Sequence, residues 1–221
     1  MIYEILSTGS KGNAVILDSE ILIDCGVPWK KLKPYAGALR LVLLTHWHGD
    51  HFNPATVRKL SQDRPALRFG CCEWMAPLLL DAGVYPKNID IYSPESPDFW
   101  GYSSIRVQVR ADIVPHNVPN CAYHLRIKDE RIFYVTDAGN LNGIEAKNYD
   151  LYMIEANHTE GEIWERIKKK QAAGEYAYEI EALKNHLSLE QANDFIYRNA
   201  KPTSEYVYLH QHQEREAAGN E

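Results

Sequence analysis

Thr45-His46-Trp47-His48-Gly49-Asp50-His51 places three imidazoles and a carboxylate inside a span of six residues, His46 to His51. Imidazole and carboxylate are the groups that borderline divalent metals prefer as ligands. The cluster directly follows Arg40-Leu41-Val42-Leu43-Leu44-Thr45, a short continuous apolar run that reads as a strand buried on both faces. Crowding partly desolvated histidines and an aspartate at the end of such a strand is costly unless they have a partner, and a metal ion is one. The bland alternative is a polar surface loop that happens to be rich in histidine; the buried strand immediately before it argues against that. Histidine is the unusual residue of this chain, with nine unevenly spread copies.

The surrounding elements must hold that loop. Residues 2–6 and 14–24 read as strands around a glycine-containing turn, Ser7-Thr8-Gly9-Ser10-Lys11-Gly12-Asn13, with a second turn at Asp18-Ser19-Glu20. A short helix is expected over Pro28–Tyr35 and another over 54–62, with Pro54 in its first turn. Then come a strand at 66–70, a helix over Cys72–Ala82 blemished by Pro77, and strands at 89–93, 104–110, 121–127, 131–136 and 150–155. Residues 159–183 are charged and helix-prone, Leu189–Arg198 is a further helix, and 205–209 is a last strand. Strands first, then mixed strand and helix, suit an α/β layered sandwich and not a regularly alternating doubly wound sheet.

The chain has 221 residues, with 24 Lys+Arg against 30 Asp+Glu for a net charge of −6. That length suits one domain, or one with a small insertion. The 45% apolar and 24% charged content excludes long disorder. An acidic balance argues against non-specific duplex binding through a broad basic face. No apolar run approaches the roughly 18 residues needed to span a bilayer. The opening MIYEILSTGSKGN lacks a basic stretch followed by an apolar run, and Cys25, Cys71, Cys72 and Cys121 include no C-x-x-C pair. A reduced, cytoplasmic location is therefore expected, with structural cysteines.

His46-x-His48-x-Asp50-His51 resembles the H-x-H-x-D-H signature of the metallo-β-lactamase fold superfamily. Pro115-His116, Thr136-Asp137-Ala138-Gly139 and the opening Ser7-x-Gly9-Ser10-x-Gly12-Asn13 resemble its later metal-binding His, its strand-then-Asp-x-Gly motif and the first loop of its nuclease-like members. Glu155-Ala156-Asn157-His158 and Asn185-His186-Leu187-Ser188 resemble motifs of the small bacterial YycJ-type (WalJ) proteins, the second also the H-S-T motif of ribonuclease Z. The resemblance covers residues 1–213 as a single domain, leaving a polar tail at 214–221, and implies an α/β four-layer αβ/βα sandwich.

The resemblance implies two divalent ions per chain, zinc first, with manganese or iron as alternatives. His46, His48 and His116 would hold one; Asp50, His51 and His210 the other; Asp137 would lie between them. His212 competes with His210 as the late ligand, because the chain reads His-Gln-His where an apolar residue and Ser are expected after the first His. Two ions roughly 3.5–4 Å apart can share a hydroxide that is nucleophilic at neutral pH. Asp50 would be ligand and base, and His186 a phosphate contact or proton donor. The implied activity is a metal-dependent phosphodiesterase on nucleic acid ends or small, including cyclic, nucleotides. The alternative is a thioester, lactone or other acyl-ester hydrolase on the same metals. A binding module that only keeps the fold is a third class, disfavoured because every expected ligand position is filled. The partner is a phosphodiester substrate, with no membrane and a homodimer left open. His124 reads as a strand residue, His158 as ambiguous, and Lys168-Lys169-Lys170 as a solvated helix face or, more sharply, a phosphate patch.

Overall fold

A computed structural model describes residues 2–94 and 96–211. The chain begins with β1 (Tyr3–Ser7), β2 (Ala14–Leu17) and β3 (Ile21–Ile23), joined antiparallel. Asp18 and Ser19 turn the second hairpin in left-handed backbone, a region that short polar side chains tolerate best after glycine. Next come α1 (Trp29–Ala36), β4 (Leu41–Leu44), α2 (Pro54–Asp63) and β5 (Arg68–Cys72). A 3-10 turn (Glu73–Met75) precedes α3 (Ala76–Asp81), so the expected helix over Cys72–Ala82 is split, with Pro77 in the first turn where its missing N–H is harmless. β6 (Ile89–Tyr92) completes a six-stranded sheet in the order β1-β2-β3-β4-β5-β6.

A second six-stranded sheet follows. It is built from β7 (Trp100–Tyr102), β8 (Val107–Val114), β9 (Asn120–Ile127), β10 (Glu130–Val135), β11 (Leu151–Glu155) and β12 (Glu205–Leu209), in the order β12-β11-β10-β9-β8-β7. Between β11 and β12 lie α4 (Glu160–Ala172), α5 (Glu179–Asn185) and α6 (Leu189–Asn199).

Alternation along the strands divides the apolar residues among three cores. Val15, Leu17, Leu41 and Leu43 meet Val107, Val109, Leu125, Ile132 and Met153 between the sheets. Ala14, Ile16, Val42 and Leu44 face the opposite way, against Leu32, Val57, Leu60 and Leu79 of the first helical layer. Phe133, Val135, Tyr152 and Ile154 likewise pack on Phe195 and Ala192 of α6. The expected four-layer helix–sheet–sheet–helix sandwich is what the chain forms. Among the described residues no helix is long and apolar enough to cross a membrane.

Strand direction positions the chemistry. β3 and β4 run parallel in one sheet, as do β10, β11 and β12 in the other, and β8 points the same way as β10 through two antiparallel pairings. The carboxyl ends of these strands release the His46–His51 loop, His116, Asp137, Glu155 and His210 at one end of the sandwich.

Candidate metal centre

The His loop is fixed by what lies beneath it. Asp24 ends β3 in left-handed backbone and is fully buried. Its carboxylate accepts from the Thr45 backbone N–H at 3.0 Å, the Thr45 hydroxyl at 2.9 Å and His51 Nδ1 at 2.8 Å. Having spent its hydrogen on Asp24, the Thr45 hydroxyl accepts from His46 Nδ1 at 3.0 Å. His46 Nε2 is then a bare lone pair. His116 donates from Nδ1 to the Asn185 carbonyl at 3.1 Å, so its Nε2 is bare as well. Both face His48 Nδ1, at 3.2 and 3.3 Å. One N–H on His48 can satisfy one of them and not both. Lone pairs converging in this way suit a cation, and these three residues form a group of donor atoms within 4.8 Å of one another.

Asp137 leads to a second group. Its Oδ2 lies 2.6 Å from His51 Nε2; its Oδ1 lies 3.0 Å from His210 Nδ1 and 3.2 Å from His186 Nδ1. Glu155 is fully buried and accepts from the Ala138 and Leu187 backbone N–H groups through one oxygen, at 3.0 and 3.1 Å. Its other oxygen faces His186 Nδ1 at 2.6 Å and His210 Nδ1 at 3.4 Å. Asp137, Glu155, His186 and His210 converge, and His46, His51 and Asp137 join this group to the first.

The electrostatics follow the same division. Burial drives His46 far down, helped by His51, and takes His116 down to about 4. Burial pulls His51 down too, but the Asp137 and Asp24 carboxylates overcome it and leave it well above the usual range. His186 is raised to about 10: its burial is outweighed by hydrogen bonds to Asp137 and Glu155. His210 is raised by Asp137 in the same way. Asp137, despite burial that would raise it, is held well below the carboxylate range by His51, His186 and His210. His46 and His116 are therefore held as neutral imidazoles, while the second group balances carboxylates against protons. Both donor sets fit divalent ions in place of those protons.

Seven positions expected from the sequence meet here: His46, His48, His51, His116, Asp137, His186 and His210. Asp50 sits at the rim, with Oδ2 3.6 Å from His51 Nε2 and 3.2 Å from the Asn13 amide nitrogen, and it belongs to neither converging group. Asn13 itself, from the glycine-containing turn, also reaches His51 Nε2 at 2.7 Å. His212 and the tail at 214–221 lie outside the described residues. His124 is buried away from the centre, between Asp112 at 2.9 Å and the Tyr149 hydroxyl at 2.8 Å, as expected of a strand residue. Trp47 follows the end of β4 and lies outside any strand, so its exposure owes nothing to strand alternation. Within Lys168-Lys169-Lys170, Lys170 turns inward to pair with Glu179 at 2.7 Å. Asp24 and Glu155 were not foreseen as site residues. The available signal was a lone carboxylate closing an apolar run, in Ile21-Leu22-Ile23-Asp24 and Leu151-Tyr152-Met153-Ile154-Glu155.

No protein-family model and no curated protein matches the sequence. Solved structures do. The human tRNase Z, short form (ELAC1), aligns with a TM-score of 0.70 at 17% identity over 96% of this chain and 93% of its own. The metallo-β-lactamase fold protein YhfI from Bacillus subtilis aligns with a TM-score of 0.69 at 15% identity over 95% and 85%. Zn(2+)-bound PqqB from Methylobacterium extorquens aligns with a TM-score of 0.63 at 11% identity over 96% and 89%. With its two sheets between helical layers and near-complete overlap with these structures, the chain has the metallo-β-lactamase fold.

Proposed function

We propose that this chain is a dinuclear metal-dependent hydrolase whose substrates are phosphodiesters, either nucleic acid ends or small nucleotides. The observation that carries this reading is the convergence of two adjoining donor groups, joined through His46, His51 and Asp137, at one end of the sandwich. The likeness to a tRNase supports a phosphodiester, and the likeness to a zinc-bound protein supports zinc. His46, His48 and His116 would hold one ion. His51, Asp137 and His210 would hold the other, with Asp50 at its rim. Bound there, divalent ions would supply Lewis acidity toward a phosphoryl oxygen and a water that ionises near neutral pH.

The chain's own residues do the rest. Asp24 and Thr45 set which nitrogen of His51 and His46 carries hydrogen, leaving the opposite nitrogens to face the centre. Glu155 holds His186 through Nδ1, an acidic partner that favours the protonated imidazole. Its Nε2 proton is the one available to a departing alkoxide.

The test is elemental analysis of protein purified without chelator, followed by assay against bis-p-nitrophenyl phosphate, a cyclic nucleotide panel, end-labelled DNA and a thioester. Two ions per chain and diester turnover are expected. His210→Ala should lose one ion and nearly all activity, whereas His186→Ala should keep both ions with a lower kcat. One ion or fewer after reconstitution would refute the dinuclear site. Turnover of the thioester alone would move the chain to the acyl hydrolases.

A further inference from the structure

The turn between β1 and β2 is fastened to the metal centre at both ends. On one side Thr8 Oγ1 accepts the His210 backbone N–H at 2.6 Å, and a Cβ built on Gly9 would lie 3.6 Å from the His210 ring. On the other, the Asn13 side-chain amide lies 2.7 Å from His51 Nε2 and 3.2 Å from Asp50 Oδ2. Between these anchors Gly9-Ser10-Lys11-Gly12 closes tightly, with the Gly12 N–H donating to the Gly9 carbonyl at 2.9 Å. Gly9 and Gly12 both have positive φ, which only glycine adopts freely, and the tip they form is held close to His51 and His210.

Ser10 and Lys11 are the exposed tip of that turn. Neither their backbone N–H groups nor the Lys11 ammonium has a partner among the described residues. The ammonium is also isolated from other cations. The remaining stretches at the carboxyl ends of the strands that point toward the centre, 24–28, 45–53, 73–75, 93–99, 115–119, 136–146, 156–159 and 210–211, contain no lysine or arginine. Carboxylates, by contrast, are plentiful there: Asp24, Asp137 and Glu155 are buried beside the donor groups and Asp50 stands at their rim. Those four would offset the charge of two divalent ions, so the loaded centre has none to spare for a second anionic group. A free ammonium on a flexible stem, with unpaired N–H donors beside it, suits a phosphate oxygen.

We propose that Lys11 binds a second phosphate group of the substrate, the one flanking the diester held at the centre. Resting on the phosphodiesterase reading, this assignment chooses within it: a phosphorylated strand end offers both groups, whereas a cyclic nucleotide offers one. Lys11 is then a specificity-determining residue. It adds affinity for substrates with two phosphates and leaves the chemistry to the metal centre.

The experiment is isothermal titration of thymidine 5′-monophosphate and thymidine 3′,5′-bisphosphate into full-length, metal-loaded protein. Wild type, Lys11→Ala and Lys11→Arg are compared after circular dichroism has shown each to be folded, which an exposed turn position favours. Wild type should bind the bisphosphate about fivefold more tightly than the monophosphate, the upper range for an exposed charge pair. Lys11→Ala should bring that ratio close to one, and Lys11→Arg, which keeps the charge, should restore most of it. A ratio of one in wild type would overturn the proposal, as would a ratio that survives Lys11→Ala. Equal weakening of both ligands in Lys11→Ala would also overturn it, because that is what a merely structural role predicts. Turnover of bis-p-nitrophenyl phosphate by wild type separates the two claims. A Lys11-dependent preference without diester turnover would leave the phosphate contact standing and sink the hydrolase reading. Diester turnover without the preference would do the reverse.

Discussion

Asp24 shows how a single carboxylate can set the chemistry of residues far from it in sequence. It accepts from Thr45 and from His51 at once, and through Thr45 it fixes the tautomer of His46. Partners that orient metal-binding histidines affect affinity by about 10–100-fold. Asp24→Asn keeps the shape but replaces one acceptor with a donor, so it should weaken metal binding by about that factor. Competition against a chromogenic chelator measures it, and unchanged affinity would remove Asp24 from the network. The protons of the second group make a separate expectation. The folded-state pKa of His186 is about 10 against 6.5 for the free side chain, so its contribution to stability is complete below about 6.5 and disappears as pH rises toward 10. His51 and His210 act in the same direction. Asp137 acts oppositely, its contribution being present above its free value of 3.8 and lost as pH falls, and His116 must gain charge against its burial on the acid side. The melting temperature of chelator-treated protein should therefore fall between pH 6.5 and 10. Metal affinity should rise over the same window, because ligation displaces those protons. A flat melting profile there would contradict the proton balance assigned to His186. The His46–His51 cluster was legible in sequence because its members are neighbours. Asp24 was not, since a lone acid at the end of an apolar run has no spacing to read, and Glu155 was legible only as the head of the Glu155-Ala156-Asn157-His158 motif, without a role.

Elements were legible where local signals agreed and obscure where tertiary packing decided. Leu41–Leu44 reads as a doubly buried strand and is one, and the strands read at 121–127 and 131–136 form β9 and β10, joined by a turn at Lys128-Asp129. The charged stretch 159–183 reads as continuously helix-prone but forms two helices. Gly174 adopts left-handed backbone after α4, and the Glu175 and Gly174 N–H groups close back on the Lys170 and Gln171 carbonyls, which ends the helix. β7 was missed because three residues at a sheet edge leave almost no pattern. The placement of the His loop on β3 was also invisible. It requires Gly26, where a Cβ would lie 1.7 Å from the Asp50 carbonyl oxygen. Gly26→Ala must push that backbone away, at a cost of about 1–3 kcal/mol or more. At about 2–4 °C per kcal/mol for a chain of this size, the melting temperature should drop by several degrees, with weaker metal binding alongside. Gly49, inside the His motif, has nothing within 4 Å of its notional Cβ. Gly49→Ala should therefore melt within a degree or two of wild type and keep its metal. Thermal melts of both variants decide the matter, and equal losses would show that the motif tolerates no substitution irrespective of packing.

At the scale of the molecule, charge bears on which phosphodiesters the proposed activity would take. The chain carries a net charge of −6. Arg126 and Arg131 lie directly opposite each other on the pairing of β9 with β10, next to that hairpin's turn, at the end of the sheet away from Asp137. They are poorly placed to draw a polyanion toward the centre. Proteins that neutralise many phosphates lose affinity steeply with salt, in proportion to the number of contacts. A short diester or a strand end needs about one or two such contacts, so its salt dependence should be shallow. The expected outcome is a kcat/KM for a dinucleotide that falls by no more than about sevenfold between 50 and 200 mM salt, what two released counterions allow, while internal sites of a long duplex are not cut at either concentration. Initial rates on the dinucleotide, on end-labelled duplex and on circular duplex at the two salt concentrations test this. Cleavage of the circular substrate with a steep salt slope would mean that a basic track exists despite the acidic balance of the chain, and that the substrate is a long nucleic acid after all.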